Sequence, residues 1–344
     1  ILSPSVIIGV IANVFNVAFN YLLIYVYGYG LKGAPVATSA LRWFQFLLLA
    51  LYLAVYRAKH SKTWPETFVL RDTARLWSDA RAFAVLAFPG AYMLALEAWA
   101  FEVSSLMAGM LSSLVALDSH IILLNFCGFM FLSFPFALGI AGSIRVGHLL
   151  GAGLPIEARR ATMVLLGMVA VGMIVIAVIF LLVQDHLGKV FTDETDVIKA
   201  IANLVPISVL FQLSDGVQAA VAGALRGMGR QKLVACLNFV GFWVVGTTLG
   251  AVLTFAVWED QSPVTRVAGL WWGLVTGITA TSLIGVMYLS QTDWQAEADA
   301  AHQRSKVPAE DATRTAPASG LNSEGSEHEM VLITDQGAHK NHAP

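Results

Sequence analysis

ATMVLLGMVAVGMIVIAVIFLLV, residues 161–183, runs for 23 residues without a charged side chain. A helix of roughly 20 apolar residues crosses the ~30 Å hydrocarbon core of a bilayer. The run is far too long to be one of the alternating, roughly ten-residue segments of a membrane β-barrel. Seven more stretches qualify as spans: Val6–Tyr27, Ala34–Tyr56, Ala82–Met107, Ile121–Ile144, Ile198–Leu225, Leu233–Trp258 and Val267–Leu289. The chain therefore reads as all-α, a polytopic membrane helix bundle of eight spans.

Composition agrees. Of 344 residues, 57% are hydrophobic and only 13% charged, against about 25% charged in a typical soluble domain. Such sparse charge cannot cover a soluble globule, which excludes a soluble enzyme. A net charge of -2 gives no sign of a nucleic-acid partner. Cys127 and Cys236 both lie in apolar stretches and make no disulfide framework. The chain opens Ile1-Leu2-Ser3-Pro4 with neither an initiator Met nor a charged n-region, so Val6–Tyr27 reads as a span and not a signal peptide. The expectation is that residues 1–344 are the remainder of a longer protein. From Gln291 onward Ala, Ser, Thr, Gly, Asp and Glu dominate, and residues 291–344 are expected to be a disordered tail.

The connecting loops carry the orientation. Arg57, Lys59, Lys62, Arg71, Arg75 and Arg81 fill 57–81; Arg145, Arg159 and Arg160 lie in 145–160; Arg226, Arg230 and Lys232 lie in 226–232. These loops hold twelve of the 21 Lys and Arg, while the intervening ones hold Lys32, Lys189, Lys199 and Arg266. Alternation in step with eight spans places the basic loops and the tail in the cytoplasm.

Three carboxylates lie inside spans: Glu97 and Glu102 in the third and Asp215 in the sixth. Each costs roughly 2.5–3.5 kcal/mol at a helix centre unless it meets a wet cavity or a partner. The single base found within a span is Arg42, near a span end where it can snorkel. Acids without matching bases suit a proton relay or a cation site. Five residues apart, Glu97 and Glu102 point about 140° apart around a regular helix, so one is expected to face a central cavity and the other its own bundle. Gln212, Asp215 and Gln218 share a face, a polar stripe that must meet other polar groups. Asn125 adds an amide in the fourth span, above a bend expected at Pro135; interhelical packing explains such an amide as well as function does. The glycines of GALRGMGRQ (223–231) follow no strand and lack Gly-Lys-Ser/Thr, so they read as a helix end and turn, not a phosphate loop. His60, His120, His148 and His186 lie in loops or at span ends without metal-site spacing.

LEAWAFE (96–102), RVGHLLGAG (145–153) followed by Ala158-Arg159-Arg160-Ala161, and GALRGMGRQ resemble the multidrug and toxic compound extrusion (MATE) transporters of the eukaryotic branch. YGLKGAPVATSALRW (29–43) is similar to that family's sixth helix. Members have twelve helices in two six-helix lobes. The resemblance implies that 1–56 holds the last two helices of the N-lobe, with the first four absent. It makes 57–81 the cytoplasmic inter-lobe loop, 82–290 the C-lobe of six helices and 291–344 the tail. It also places the family's proton-coupling and substrate-binding acids on Glu97, Glu102 and Asp215, with Asn125 at a polar position of the eighth helix, one residue out of register with Pro135.

The resulting expectation is a proton-coupled antiporter, not an enzyme, that exports organic cations, drugs or secondary metabolites by alternating access. It would act as a monomer in the plasma membrane or a vacuolar or vesicular membrane. No cofactor is expected; a proton is the expected coupling ion and sodium the alternative. Competing readings are a lipid or oligosaccharide flippase of related fold and a non-transporting polytopic receptor or enzyme. Residues 1–344 alone are not expected to transport.

Overall fold

A computed structural model describes residues 3–56 and 73–303. Among them, eight helical stretches are long and apolar enough to cross a membrane, and each coincides with a span read from the sequence. The protein is an integral membrane helix bundle.

It divides into two compact units, residues 1–81 and 82–344. In the first, α1 (Pro4–Val26) and α2 (Gly33–Val55) pair through Phe15 and Phe44, whose rings stack with centroids 4.4 Å apart. Arg42 lies on α2 and donates to Gln45 Oε1 at 3.3 Å.

The third helix, α3 (Thr73–Gly109), starts earlier than its apolar run. Of the 57–81 segment expected to be a loop, 57–72 lie outside the described residues, and from Thr73 the chain is helical. Ala74-Arg75-Leu76 and Ala80-Arg81-Ala82 are strong helix formers without Gly or Pro, so the helix extends past the apolar stretch.

α4 (Leu114–Ser133) starts where the Ser113 hydroxyl accepts from the Ala116 N–H. The span breaks at Pro135, which has no N–H to continue the ladder, and resumes as α5 (Pro135–Gly151). The interruption falls at Phe134, directly before the proline at which a bend is expected. After α6 (Pro155–Leu187) and α7 (Thr195–Gly227) comes α8 (Gln231–Val257), which contains two wide π-turn segments. α9 (Pro263–Gln291) is capped by Ser262.

α7 is the centre of the second unit, packed against α4, α5, α6 and α9. Several approaches between helix backbones are so close that only glycine fits. A Cβ on Gly223 of α7 would lie 2.4 Å from the Gly139 carbonyl oxygen of α5, and one on Gly277 of α9 would lie 2.0 Å from that of Gly241 on α8. Gly223 therefore packs within a helix, while the end-and-turn role read for its motif falls on its later residues. Aromatic rings fill the core beside α7: Phe101 meets Phe211 and Phe242 edge-on, and Phe211 meets Trp271 likewise.

The tail is not disordered from Gln291. Residues 294–303 form a further helix, α10, with Trp294, Glu297 and Ala298 buried against the core. Trp294, Glu297, Ala298 and Ala301 recur at i, i+3, i+4 and i+7, one helical face. Low average hydrophobicity hides that stripe. Residues 304–344 lie outside the described ones.

Candidate functional site

α3, α4 and α7 enclose a cavity of about 300 Å³. Phe101, Glu102 and Ser105 line it from α3; Leu124, Asn125, Cys127, Gly128 and Phe131 from α4; Phe211 and Asp215 from α7. A second cavity of about 20 Å³ is lined by Glu97 of α3, Phe136 of α5, Asn238 of α8, and Asp215, Gln218 and Arg226 of α7. That volume holds about one water molecule.

The acids are thus divided. Glu102 borders only the large cavity and Glu97 only the small one, as a five-residue separation on an unbroken helix requires. Asp215, 5% exposed, borders both. None of the three makes an ion pair among the described residues. Asn125 borders the large cavity, but its amide donates to the Ile121 carbonyl of its own helix at 2.9 Å, which leaves its oxygen as the group available to the cavity.

Around Gln218 and Ser214, α7 finds polar company on α8 and α9. Gln218 donates to Asn238 Oδ1 at 3.1 Å, and Asn238 donates to the Met93 carbonyl at 3.3 Å. Trp243 donates to the Leu96 carbonyl at 2.9 Å. α8 therefore grips the backbone of α3 at two points just before Glu97 and fixes the height at which that acid projects. Ser282 of α9 donates to the Ser214 carbonyl at 2.9 Å, and the Ser214 hydroxyl meets Thr279 at 2.7 Å. Gln212 is buried beside the Cys127 thiol, with no nitrogen or oxygen partner among the described residues.

Sequence reasoning missed Arg226. Counted as a loop residue, it lies in the last turn of α7, half-buried, with its guanidinium 5.8 Å from the Phe136 ring centroid. It lines the small cavity with Glu97 and Asp215 and interacts with the Glu97 charge. The signal was available. Eleven residues separate Asp215 and Arg226, which returns a helix to within about 20° of the same face. His120 also differs from its reading: it lies inside α4, fully buried, with Nε2 3.2 Å from the Ser104 hydroxyl. Among the described residues no group of three His, Cys, Asp or Glu could hold a metal ion.

Comparison with known proteins follows the same lines. The MatE family model matches residues 89–252. Multidrug and toxin extrusion protein 1 of Xenopus tropicalis is 33% identical over 309 residues, 88% of this chain and 50% of that protein. Multidrug and toxin extrusion protein 1 of Homo sapiens is 31% identical over 320 residues, 93% and 53%. This chain therefore spans about half the length of the curated relatives it matches. A Vibrio cholerae MATE transporter superposes with a TM-score of 0.65 at 14% identity, covering 83% of this chain and 62% of that one. A MOP superfamily transporter from Pyrococcus furiosus gives 0.66 at 14% identity, covering 83% and 63%. Those two likenesses concern the fold.

Proposed function

This chain belongs to the multidrug and toxin extrusion family, and from that premise we propose that its acid-lined cavities serve a proton-coupled antiporter. The proposed cargo is an organic cation, a drug or an amphipathic secondary metabolite, exported by alternating access. One observation carries the reading: Asp215 forms part of the wall of both cavities.

The larger cavity has the volume of a small-molecule site, with an aromatic and apolar wall and a few convergent polar groups. Glu102 and Asp215 supply the negative charge that an organic cation needs, Phe101, Phe131 and Phe211 supply ring faces and edges, and the Asn125 oxygen adds an acceptor. The smaller cavity has no room for such a cargo but admits water, and so protons. A proton reaching Asp215 or Glu102 removes the charge that holds the cargo, and Glu97 with Arg226 supports that exchange from the smaller cavity. Loss of the cation returns the carboxylate to its proton-accepting form. The two ions thus compete for one charge, which is the condition for antiport. The proposed protein acts as a monomer with its arginine-rich loops in the cytoplasm, in the plasma membrane or a vacuolar or vesicular membrane.

The test is pH-driven efflux of a fluorescent organic cation by the full-length protein in proteoliposomes. Asp215→Asn and Glu102→Gln should each abolish exchange. Intact efflux in both variants sinks the mechanism, and a gradient of sodium that drives wild-type efflux at uniform pH replaces the proton with sodium.

A further inference from the structure

Away from the acids, α5 and α6 part to leave an open groove of about 470 Å³. Leu138 and Ala141 of α5 and Val164, Leu165 and Met168 of α6 form apolar walls. The mouth is charged: Arg145 stands on α5, and Arg160 and Glu157 on α6. The two arginines lie at matching depth. Arg145 precedes the end of α5 at Gly151 by six residues, and Arg160 follows the start of α6 at Pro155 by five. At 1.5 Å per residue, both are roughly 8–9 Å from the connecting turn. Leu138 and Met168 are seven and eight residues deeper, so the apolar walls continue for roughly 10–12 Å past the guanidinium groups.

Glu157 is already committed, its Oε1 3.0 Å from Arg160 Nη1. Arg145 makes no ion pair among the described residues. The mouth therefore keeps a net positive charge above a greasy slot, in a helix pair whose outer surface is otherwise large exposed hydrophobics such as Ile144, Val164, Met168 and Val171.

The geometry points to this groove as a binding site for one anionic glycerophospholipid, its phosphate between Arg145 and Arg160 and an acyl chain along the apolar walls. Charge complementarity selects the occupant. Guanidinium groups match phosphate oxygens in geometry as well as charge. Two arginines against one glutamate give a headgroup with net negative charge a net attraction at this mouth, whereas a zwitterionic headgroup has no net charge to offer. Free phosphate would leave the slot unfilled, and a lipid fills both parts at once. Basic pockets between membrane helices recognise anionic headgroups in this way, each basic residue contributing roughly fivefold in affinity.

The experiment is native mass spectrometry of the full chain in detergent with equimolar phosphatidylserine and phosphatidylcholine. The wild type should retain phosphatidylserine roughly fivefold or more over phosphatidylcholine. Arg145→Gln and Arg160→Gln should each move the ratio towards one, and Arg145→Lys, which keeps the charge, should preserve most of it and so separate loss of the site from loss of folding. Arg159→Gln removes the same charge beside the groove and should leave the ratio unchanged. Val164→Trp, which fills a wall, should lower retention of both lipids. Equal retention by the wild type overturns the site, as does a preference that survives Arg145→Gln with Arg160→Gln. A ratio that falls as far in Arg159→Gln reassigns the effect to diffuse attraction by the basic loop and also overturns it.

Discussion

Breaking the ion pair between Arg230 and Glu297 should cost different amounts from its two ends. Arg230, in the turn between α7 and α8, donates from Nε and Nη2 to Glu297 Oε1 of α10 at 3.1 and 2.5 Å. Its side chain is 51% exposed, but that of Glu297 only 7%. Glu297→Ala loses charge-assisted hydrogen bonds worth about 1.5–3 kcal/mol in buried settings. Half of the guanidinium is already solvated and returns to water, which brings the figure to about 1–2 kcal/mol. Arg230→Ala leaves a buried carboxylate without its partner, and breaking a buried pair in that way costs about 3–5 kcal/mol. On soluble-domain scaling of about 2–4 °C per kcal/mol, Glu297→Ala should lower Tm by about 2–8 °C and Arg230→Ala by about 6–20 °C. The double variant should lie above Arg230→Ala alone, because no charge is stranded. The hydrogen bonds that it donates to Glu297 raise the Arg230 guanidinium above its usual range. Its stabilisation is therefore complete below the ordinary arginine value and is lost only above the raised one, so results should agree from about pH 6 to 9. Thermal unfolding in detergent, followed by tryptophan fluorescence, reads the effect, with buried Trp294 on the same helix as Glu297. A Glu297→Ala cost equal to or above that of Arg230→Ala refutes the reasoning.

Gly223→Val should destabilise by more than the usual 1–3 kcal/mol of overpacking, because its Cβ would meet the Gly139 backbone and not a side chain that can move. By contrast, Gly90→Ala on α3, where a Cβ meets nothing within 4 Å, should stabilise by about 0.5–1 kcal/mol; the same melting assay compares the two. Ser113→Ala should cost about 1 kcal/mol through loss of the α4 cap, seen as faster hydrogen exchange confined to the first turn of α4. Asn238→Ala should cost about 1–3 kcal/mol by leaving the Gln218 amide unpaired, and Asn238→Asp, which keeps the acceptor, should recover part of the lost Tm.

Spans were legible because bilayer thickness sets a length that composition alone can report, so all eight were visible as runs of apolar residues. α10 was not, because its buried positions Trp294, Glu297 and Ala298 include a carboxylate and are diluted by the exposed Gln295, Asp299 and Gln303, so the stripe vanishes in an average. The three acids were legible by the cost of placing them in a span. Their separation between two cavities followed from helical angle, but the identity of the shared acid did not. That depends on how α7 is turned against α3, α4 and α5, which the Gly139–Gly223 approach sets. Arg226 was lost for a more specific reason. An arginine at the end of an apolar run looks like a topology signal, and only its register with Asp215 shows that it turns inward.

That register changes the charge arithmetic on which the proposed exchange depends. Without Arg226, three acids would face two cavities with no base, and neutrality would require either three protons or a cation with protons. With Arg226 bordering the same space as Glu97, one negative charge is balanced by the protein itself. Glu102 and Asp215 remain, and only Asp215 can be reached from both cavities. A cargo bearing one positive charge and a proton are then interchangeable at that carboxylate, because each brings the same compensation to a site where an uncompensated charge is costly. Had Asp215 bordered the larger cavity alone, a proton in the smaller one could influence the cargo only from a distance. A direct contest for one group needs no relay between them, and it makes the position of α7, more than the number of acids, the feature on which the proposed coupling rests.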